Sequence, residues 1–269
     1  MKKFYKNSDG QVQWFQLILT GLGSCVILFV VAPLVSMVLA TSLGDLTEAA
    51  ADREVIQSIK LTLTAAFFAT VVSALAGIPL AYLLARKKFL GRSMLLAIID
   101  LPIIIPHSAA GIALLTVIGR QSLIGRLSGN GLTGTAVGIS VAMAFVSLPF
   151  LVNAAHQAFA AVPEKLEKAA RTLGASPSHT FFTISLPLAW RGILSGMILM
   201  WARGISEFGA VVIIAYHPMT TPVMVFQRFS DYGLNYAKSV AVLLILICVS
   251  LFVVLRLLSR PKGRESTNA

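Results

Sequence analysis

An all-α chain that crosses a membrane six times is what this sequence predicts, and three observations carry that fold class. First, the 269 residues are 57% hydrophobic and 12% charged, with a mean hydropathy of +0.83. That is too apolar and too poor in charge for a soluble domain. Second, apolar runs long enough to cross a hydrocarbon core of about 30 Å recur along the chain. Third, the 22 Lys and Arg residues are shared unevenly between alternate loops, as a polytopic membrane topology requires.

Residues 1–12 carry Lys2, Lys3 and Lys6, and Gln11 to Gly44 then holds no Asp, Glu, Lys or Arg. This first span is about twice the length of a secretory signal core and is expected to be retained. Residues 42–60 turn acidic, and a second charge-free run from Leu61 to Ala85 ends at Arg86, Lys87, Lys88 and Arg92. The third span, about Ser93 to Ile118, is interrupted by Asp100, Pro102, Pro106 and His107. Its prolines remove backbone donors and break or kink the helix. A fourth span covers about Leu132 to Phe159, a polar loop 161–191 follows, and the fifth span starts near Gly192. Tyr216 to Tyr236 reads as a looser segment, the sixth span covers about Ala237 to Leu258, and 259–269 is a basic tail. The body of the protein is therefore 13–258.

Most of the Lys and Arg residues lie in the N-terminal segment, the 86–92 loop, the 161–191 loop and the tail. By the positive-inside rule these four segments, and both termini, face the cytoplasm. The formal net charge of +11 is thus spread over topogenic segments rather than gathered on one nucleic-acid-binding surface. Cys25 and Cys248 lie inside apolar runs with no ligand-spaced neighbours, so neither a disulfide framework nor a metal site is expected. They read as small core residues. The phosphate-cradling pattern G-x-x-x-x-G-K-[ST] and H-E-x-x-H are both missing, as is a carboxylate pair placed for acid–base work. An enzyme reading has no support in the residues.

The polar loop is the informative stretch. From Pro163 a run of good helix formers leads to Gly174, and Ser176-Pro177 marks a second start before Leu186-Pro187. Two short helices are expected to meet at the glycine. Ala169-Ala170, then Gly174, then Ile184-x-Leu186-Pro187 has the spacing that resembles the "EAA" loop of ABC importer membrane subunits. Lys168 stands where that family places its Glu, with Glu167 one position earlier. The resemblance implies a coupling helix that docks on a separate ATP-binding subunit, with Glu167, Lys168, Ala169, Ala170 and Gly174 transmitting. ATP and Mg would be held in that partner, and no cofactor or metal in this chain. Small residues at 169 and 170 suit a docking surface that demands close backbone approach.

In the fifth span, Arg203 and Glu207 stand four residues apart, on one helical face, flanking Ser206. Charges at membrane depth cost about 2.5–3.5 kcal/mol each on insertion scales, so they face protein or a water-filled path. A structural pair that fixes helix packing and an element of a transport path or gate both stay open. Asp100, Pro102, Pro106 and His107 are possible path residues, equally open to an interface role. Ser147, Pro149, Asn153, His156 and Gln157 form a polar lower end to the fourth span, and Phe67, Phe68, Phe145 and Phe150 read as lipid or helix contacts.

The stretch RGISEFGAVVIIAYHP, with DLPIIIPHSAAGIALL and ARTLGASP, is similar to permease subunits of the molybdate, tungstate and sulfate type over about residues 60–258. That resemblance implies a homodimer in a bacterial or archaeal plasma membrane with a path on its axis, two ATP-binding subunits, and an extracytoplasmic oxyanion-binding protein. The cargo it implies is molybdate or tungstate, with sulfate or thiosulfate as the alternative. A self-sufficient secondary transporter or channel is the reading of a different class. It expects paired broken helices in the two halves, and the sequence offers one Pro-interrupted span without a matching partner.

Overall fold

The computed structural model describes residues 5–127 and 131–258, and every regular element among them is a helix. In chain order these are α1 (Tyr5–Leu39), α2 (Leu43–Ala51), α3 (Arg53–Arg86), α4 (Arg92–Ile104), α5 (His107–Ile118), α6 (Leu123–Leu127) and α7 (Ala136–Ala161). They continue with α8 (Glu164–Thr172), α9 (Pro177–Thr180), a π turn (Phe181–Ser185), α10 (Leu186–Ile205), α11 (Gly209–Ile214), α12 (Thr221–Tyr232) and α13 (Leu234–Leu258). The basic tail 259–269 lies outside the described residues.

Five stretches are long and apolar enough to cross a membrane: Trp14–Leu39, α3, α7, the continuous run Pro177–Ile205, and Leu234–Val253. The pair α4 and α5, bent by 112°, makes the sixth. Pro106 lies at that bend, whereas Pro102 is buried within α4 and does not end it.

The bundle is built on α3, α7 and α10. Without a hydrophobic drive between helices in lipid, close backbone approach supplies the packing energy, and small residues permit it. Gly192 and Gly196 on α10 face Ala158 and Ala154 on α7: a Cβ at Gly192 would stand 2.5 Å from the Ala158 Cβ, and one at Gly196 2.7 Å from the Ala154 Cβ. The four-residue spacing on both helices repeats the contact one turn later. Around this seam lie Leu84, Val152, Phe159 and Ile193 at one end of the bundle and Ala66, Met143, Ile205 and Val211 toward the other.

Several expectations need correction. The helix of the fifth span begins at Pro177 rather than near Gly192, because the π turn carries it through Pro187: Leu186 N–H reaches Phe181 O, an i→i−5 bond that adds one residue to the turn and accommodates the missing proline donor. The helix ends at Ile205 and the chain resumes as the short α11 at Gly209, whereas α4 and α5 make the one bent pair among the described residues that together could cross. Tyr216 to Tyr236 is not loose, since α12 occupies most of it, with Pro222 in its first turn and Gly233 (φ 86°) beyond its end. Cys25 is exposed rather than in a core: throughout Trp14–Leu39 the helix is unburied and packs only lightly, against α13. Phe67 and Phe68 are exposed on the outside of α3, as expected of lipid contacts.

Candidate functional site

Two clusters hold the residues singled out above. The first is the elbow where α3, α7, α8 and the π turn meet. Gly174, with φ of 92°, sits in a left-handed conformation that favours glycine and turns the chain sharply between α8 and α9. Lys168 and Ala169 are exposed, Ala170 is half-buried, and Leu173 next to the turn is 90% exposed. Ala170, Leu173, Gly174, Ala175 and His179 line an open concave surface of about 630 Å³. Lys168 makes an exposed pair with Glu164 at 3.3 Å, one turn away on α8.

Glu167 behaves differently from its neighbours. It is 6% exposed and points back into the bundle. Its Oε1 accepts from Arg86 Nε and from Ser185 Oγ, each at 2.7 Å, and its Oε2 accepts from Tyr82 OH at 3.1 Å. Arg86 also donates through NH2 to Val162 O, the C-cap of α7, at 3.0 Å. One ion pair therefore ties together the end of α3, the end of α7, α8 and the π turn. Burial raises the Glu167 pKa, but the bonds from Ser185, Arg86 and Tyr82 outweigh it and hold the carboxyl below its ordinary value. Tyr82 meets Phe159 and Phe181 edge-on at centroid distances of 5.3 and 4.8 Å, and the two phenylalanines lie tilted to each other at 6.0 Å. Unlike its neighbours on α8, Glu167 therefore anchors the helix from within. Arg86, Tyr82 and Ser185 were not legible as its partners, although Tyr82 and Arg86 share a face four residues apart at the end of an apolar run.

The second cluster lies where α5, the end of α10 and the start of α11 meet. Glu207, 1% exposed, sits between α10 and α11 and accepts the Ala210 N–H at 2.8 Å, capping the short α11. Its Oε2 is 2.9 Å from Arg203 NH2 and 2.9 Å from His107 Nδ1. Arg203 NH2 is also 3.1 Å from His107 Nε2. The same guanidinium nitrogen is 2.9 Å from His107 Nδ1, so the tautomer of His107 decides which ring nitrogen accepts from Arg203. The remaining arm, Arg203 NH1, makes only a 3.3 Å contact with Ser206 Oγ. A Cβ at Gly209 would lie 2.7 Å from the His107 Cβ, and one at Gly111 3.0 Å from Ala210 O, so glycines let α5 and α11 cross at this point. Ser206 is exposed here, and Arg203 and His107 are partly so. The pair expected from sequence is present, at a helix break rather than within one helix.

The other candidates fall elsewhere. Asp100 Oδ1 accepts from Asn153 Nδ2 at 2.7 Å, and Arg92 NH2 lies 3.1 Å from His156 Nε2, so both contacts join α4 to α7. Pro102 is buried within α4, while Pro106 N-caps α5 beside His107. Ser147 donates to Met143 O within its own helix, and Gln157 is exposed. Among the described residues no group of His, Cys, Asp or Glu could hold a metal ion.

Residues 77–260 match the family described as "Binding-protein-dependent transport system inner membrane component". The chain belongs to this family. Among its relatives is the molybdate/tungstate transport system permease protein WtpB of Pyrococcus abyssi, 44% identical over 87% of this chain and 92% of the relative. Its counterpart from Methanocaldococcus jannaschii is 42% identical over 93% and 99%. A probable sulfate transport system permease protein of Chlorokybus atmophyticus is 36% identical over 78% and 75%. In fold, this inner membrane component is similar to a chain of a bacterial ABC transporter involved in alginate import, with a TM-score of 0.72 at 14% identity, covering 98% of this chain and 100% of that one. It is also similar to a chain of the MetNI methionine ABC transporter, with a TM-score of 0.59 at 17% identity, covering 76% and 92%. The architecture is that of an ABC importer permease.

Proposed function

We propose that this chain forms the translocation path of an ATP-driven importer for a tetrahedral oxyanion, molybdate or tungstate. The observation that carries this reading is identity above 40%, over nearly the whole chain, to relatives named for molybdate/tungstate transport. In the assembled importer two copies of the chain surround a path on their common axis. Two ATP-binding subunits holding ATP and Mg stand on the cytoplasmic side, and an oxyanion-binding protein delivers cargo from outside. The chain itself is not an enzyme. Its N-terminal segment 1–12, the 161–191 loop and the tail 259–269 face the cytoplasm, in keeping with the distribution of Lys and Arg.

In this reading α8 is the coupling helix. Lys168, Ala169, Ala170 and the Gly174 turn meet the ATP-binding subunit, and Leu173 is the apolar anchor of that contact. Glu167 transmits from behind, holding α8 to α3, α7 and the π turn. Arg203, Ser206 and Glu207, with His107, form the gate. Glu207 keeps Arg203 charge-paired at rest, and the loosely held NH1 arm and the Ser206 hydroxyl meet the anion in transit. A standing anion site is disfavoured beside the Glu207 carboxylate, which suits a passage that must release its cargo. Asp100 serves packing through Asn153.

Sulfate is a second reading, favoured by the relatives named for sulfate transport at 36% identity. Liposomes holding the chain with its ATP-binding subunit decide between them. ATP-dependent uptake of molybdate or tungstate from the loaded binding protein, exceeding that of sulfate, is the expected result. Sulfate uptake at equal or greater rate overturns the cargo assignment.

A further inference from the structure

Between the end of α3 and the root of α8 lies a cleft of about 370 Å³, floored by the elbow residues Tyr82, Arg86 and Glu167 and lined also by Lys87 and Arg171, which the elbow contacts do not use. Four cations line it: Arg86 and Lys87 from α3 and its C-cap, and Lys168 and Arg171 from α8. Two carboxylates share the lining, Glu164 and Glu167, and each is already committed to a cation, Lys168 and Arg86 respectively. Lys87 and Arg171 have no carboxylate within ion-pair distance among the described residues. The cleft therefore carries an excess positive charge with no internal counterion.

Its lining also has a polarity gradient. Leu83, half-exposed, lies one turn before Arg86 on α3, at the end of the lipid-facing run that includes Leu75. An apolar wall thus leads directly into a set of cations at the level where α3 leaves the hydrocarbon. A free anion needs only the cations, whereas a lipid also uses the wall. Basic pockets at the cytoplasmic ends of membrane helices suit anionic headgroups for this reason.

We infer that this cleft binds a phosphate-like tetrahedral anion, supplied by the headgroup of an anionic lipid of the cytoplasmic leaflet, with Lys87 and Arg171 as its principal partners. A bound phosphate bridges Lys87 at the end of α3 to Arg171 on the coupling helix. It thereby stiffens the elbow through which the ATP-binding subunit acts. The regulatory consequence rests on the coupling reading given above, while the binding itself does not.

The test uses the full chain in nanodiscs, of phosphatidylcholine alone or mixed with phosphatidylglycerol, with retained lipid counted by native mass spectrometry. The wild-type protein is expected to retain phosphatidylglycerol. Because one cation near an anionic surface is worth roughly fivefold in affinity, Lys87→Gln with Arg171→Gln together should weaken retention about thirtyfold. Lys88→Gln, whose side chain does not line the cleft, serves as the control and should leave retention unchanged. Equal retention by wild type and the double variant overturns the site. Displacement of the lipid by inorganic phosphate or molybdate at low concentration overturns the lipid as its source in favour of a free oxyanion. In a second arm, the complex with the ATP-binding subunit should move more oxyanion per ATP in the mixed nanodisc-derived liposomes than in phosphatidylcholine. Lipid retention without that gain removes the regulatory role, and loss of all ATP-dependent uptake in the wild type points instead to failure of the importer reading.

Discussion

The elbow and the proposed gate each hold an arginine paired to a buried glutamate, yet the two pairs differ in how far the arginine is enclosed. At the elbow both partners are enclosed, with Arg86 9% and Glu167 8% exposed at the side chain, and the hydrogen bonds to Tyr82, Ser185 and Val162 complete the set. At the gate Glu207 is 1% exposed, but Arg203 is 24% and His107 37% exposed, and one guanidinium arm is held only loosely. In the proposed mechanism the enclosed cation makes a fixed joint and the cation open on one side a movable one. Burial of the arginine, not of the carboxylate, separates them.

The comparison breaks most severely at the joint. Glu167→Ala strands an enclosed guanidinium, a change that costs about 3–5 kcal/mol when a buried pair loses one member. The detergent-solubilised protein should lose much of its thermal stability, and association with the ATP-binding subunit should fall with it. A variant as stable as the parent would mean that the elbow is not held by this pair. Gly196→Leu comes next, because its side chain meets Ala154 Cβ and Leu151 O on the facing helix. Overpacking of this kind costs about 1–3 kcal/mol, read as a lowered melting temperature.

At the gate the effect should appear in transport rather than in folding. Arg203→Gln keeps hydrogen-bonding capacity beside Glu207 and His107 while removing the charge. Uptake should drop at least tenfold, a change of about 1.4 kcal/mol in the barrier, with ATP-binding subunit association preserved. If stability falls instead and uptake per folded complex is unchanged, the pair is only structural.

Acid pH sharpens the contrast further. The Glu167 carboxyl titrates below its ordinary value of 4.5 in the folded protein. A depressed carboxylate pKa contributes stability that is present above the unfolded value and lost as pH falls through the folded one. The Glu167 contribution should therefore be constant from neutral pH down to about 4.5 and be lost below it, and Glu167→Gln should reduce the acid loss of melting temperature in that range. The smallest effect belongs to Lys168→Ala. It breaks an exposed pair worth about 0.5 kcal/mol or less, so melting should barely move while partner affinity reports whether Lys168 is at the docking surface.

The spans were legible because exclusion of charge from lipid is written directly into composition: Leu61 to Ala85 names most of α3 by itself. The Gly174 turn was legible for a similar reason, a local conformational demand that one residue type meets. What escaped were relations between distant residues and between helix registers. Nothing near Glu167 in the chain indicates that Arg86, 81 positions earlier, will enclose it. Pro187 reads as a boundary unless the preceding π turn is known, and the π turn has no composition of its own. At the gate, the spacing of Arg203 and Glu207 was readable, but His107 joins them only because α5 and α11 cross at glycines.

The central claim is that motion enters this chain from a separate nucleotide-hydrolysing partner through the elbow. Its most direct test is oxyanion uptake by liposomes containing the purified chain, with and without the ATP-binding subunit. The account predicts no concentrative uptake by the chain alone, and ATP-dependent uptake when the partner is present, lost in the Glu167→Ala variant. Accumulation of the oxyanion against its gradient by the chain alone would contradict it.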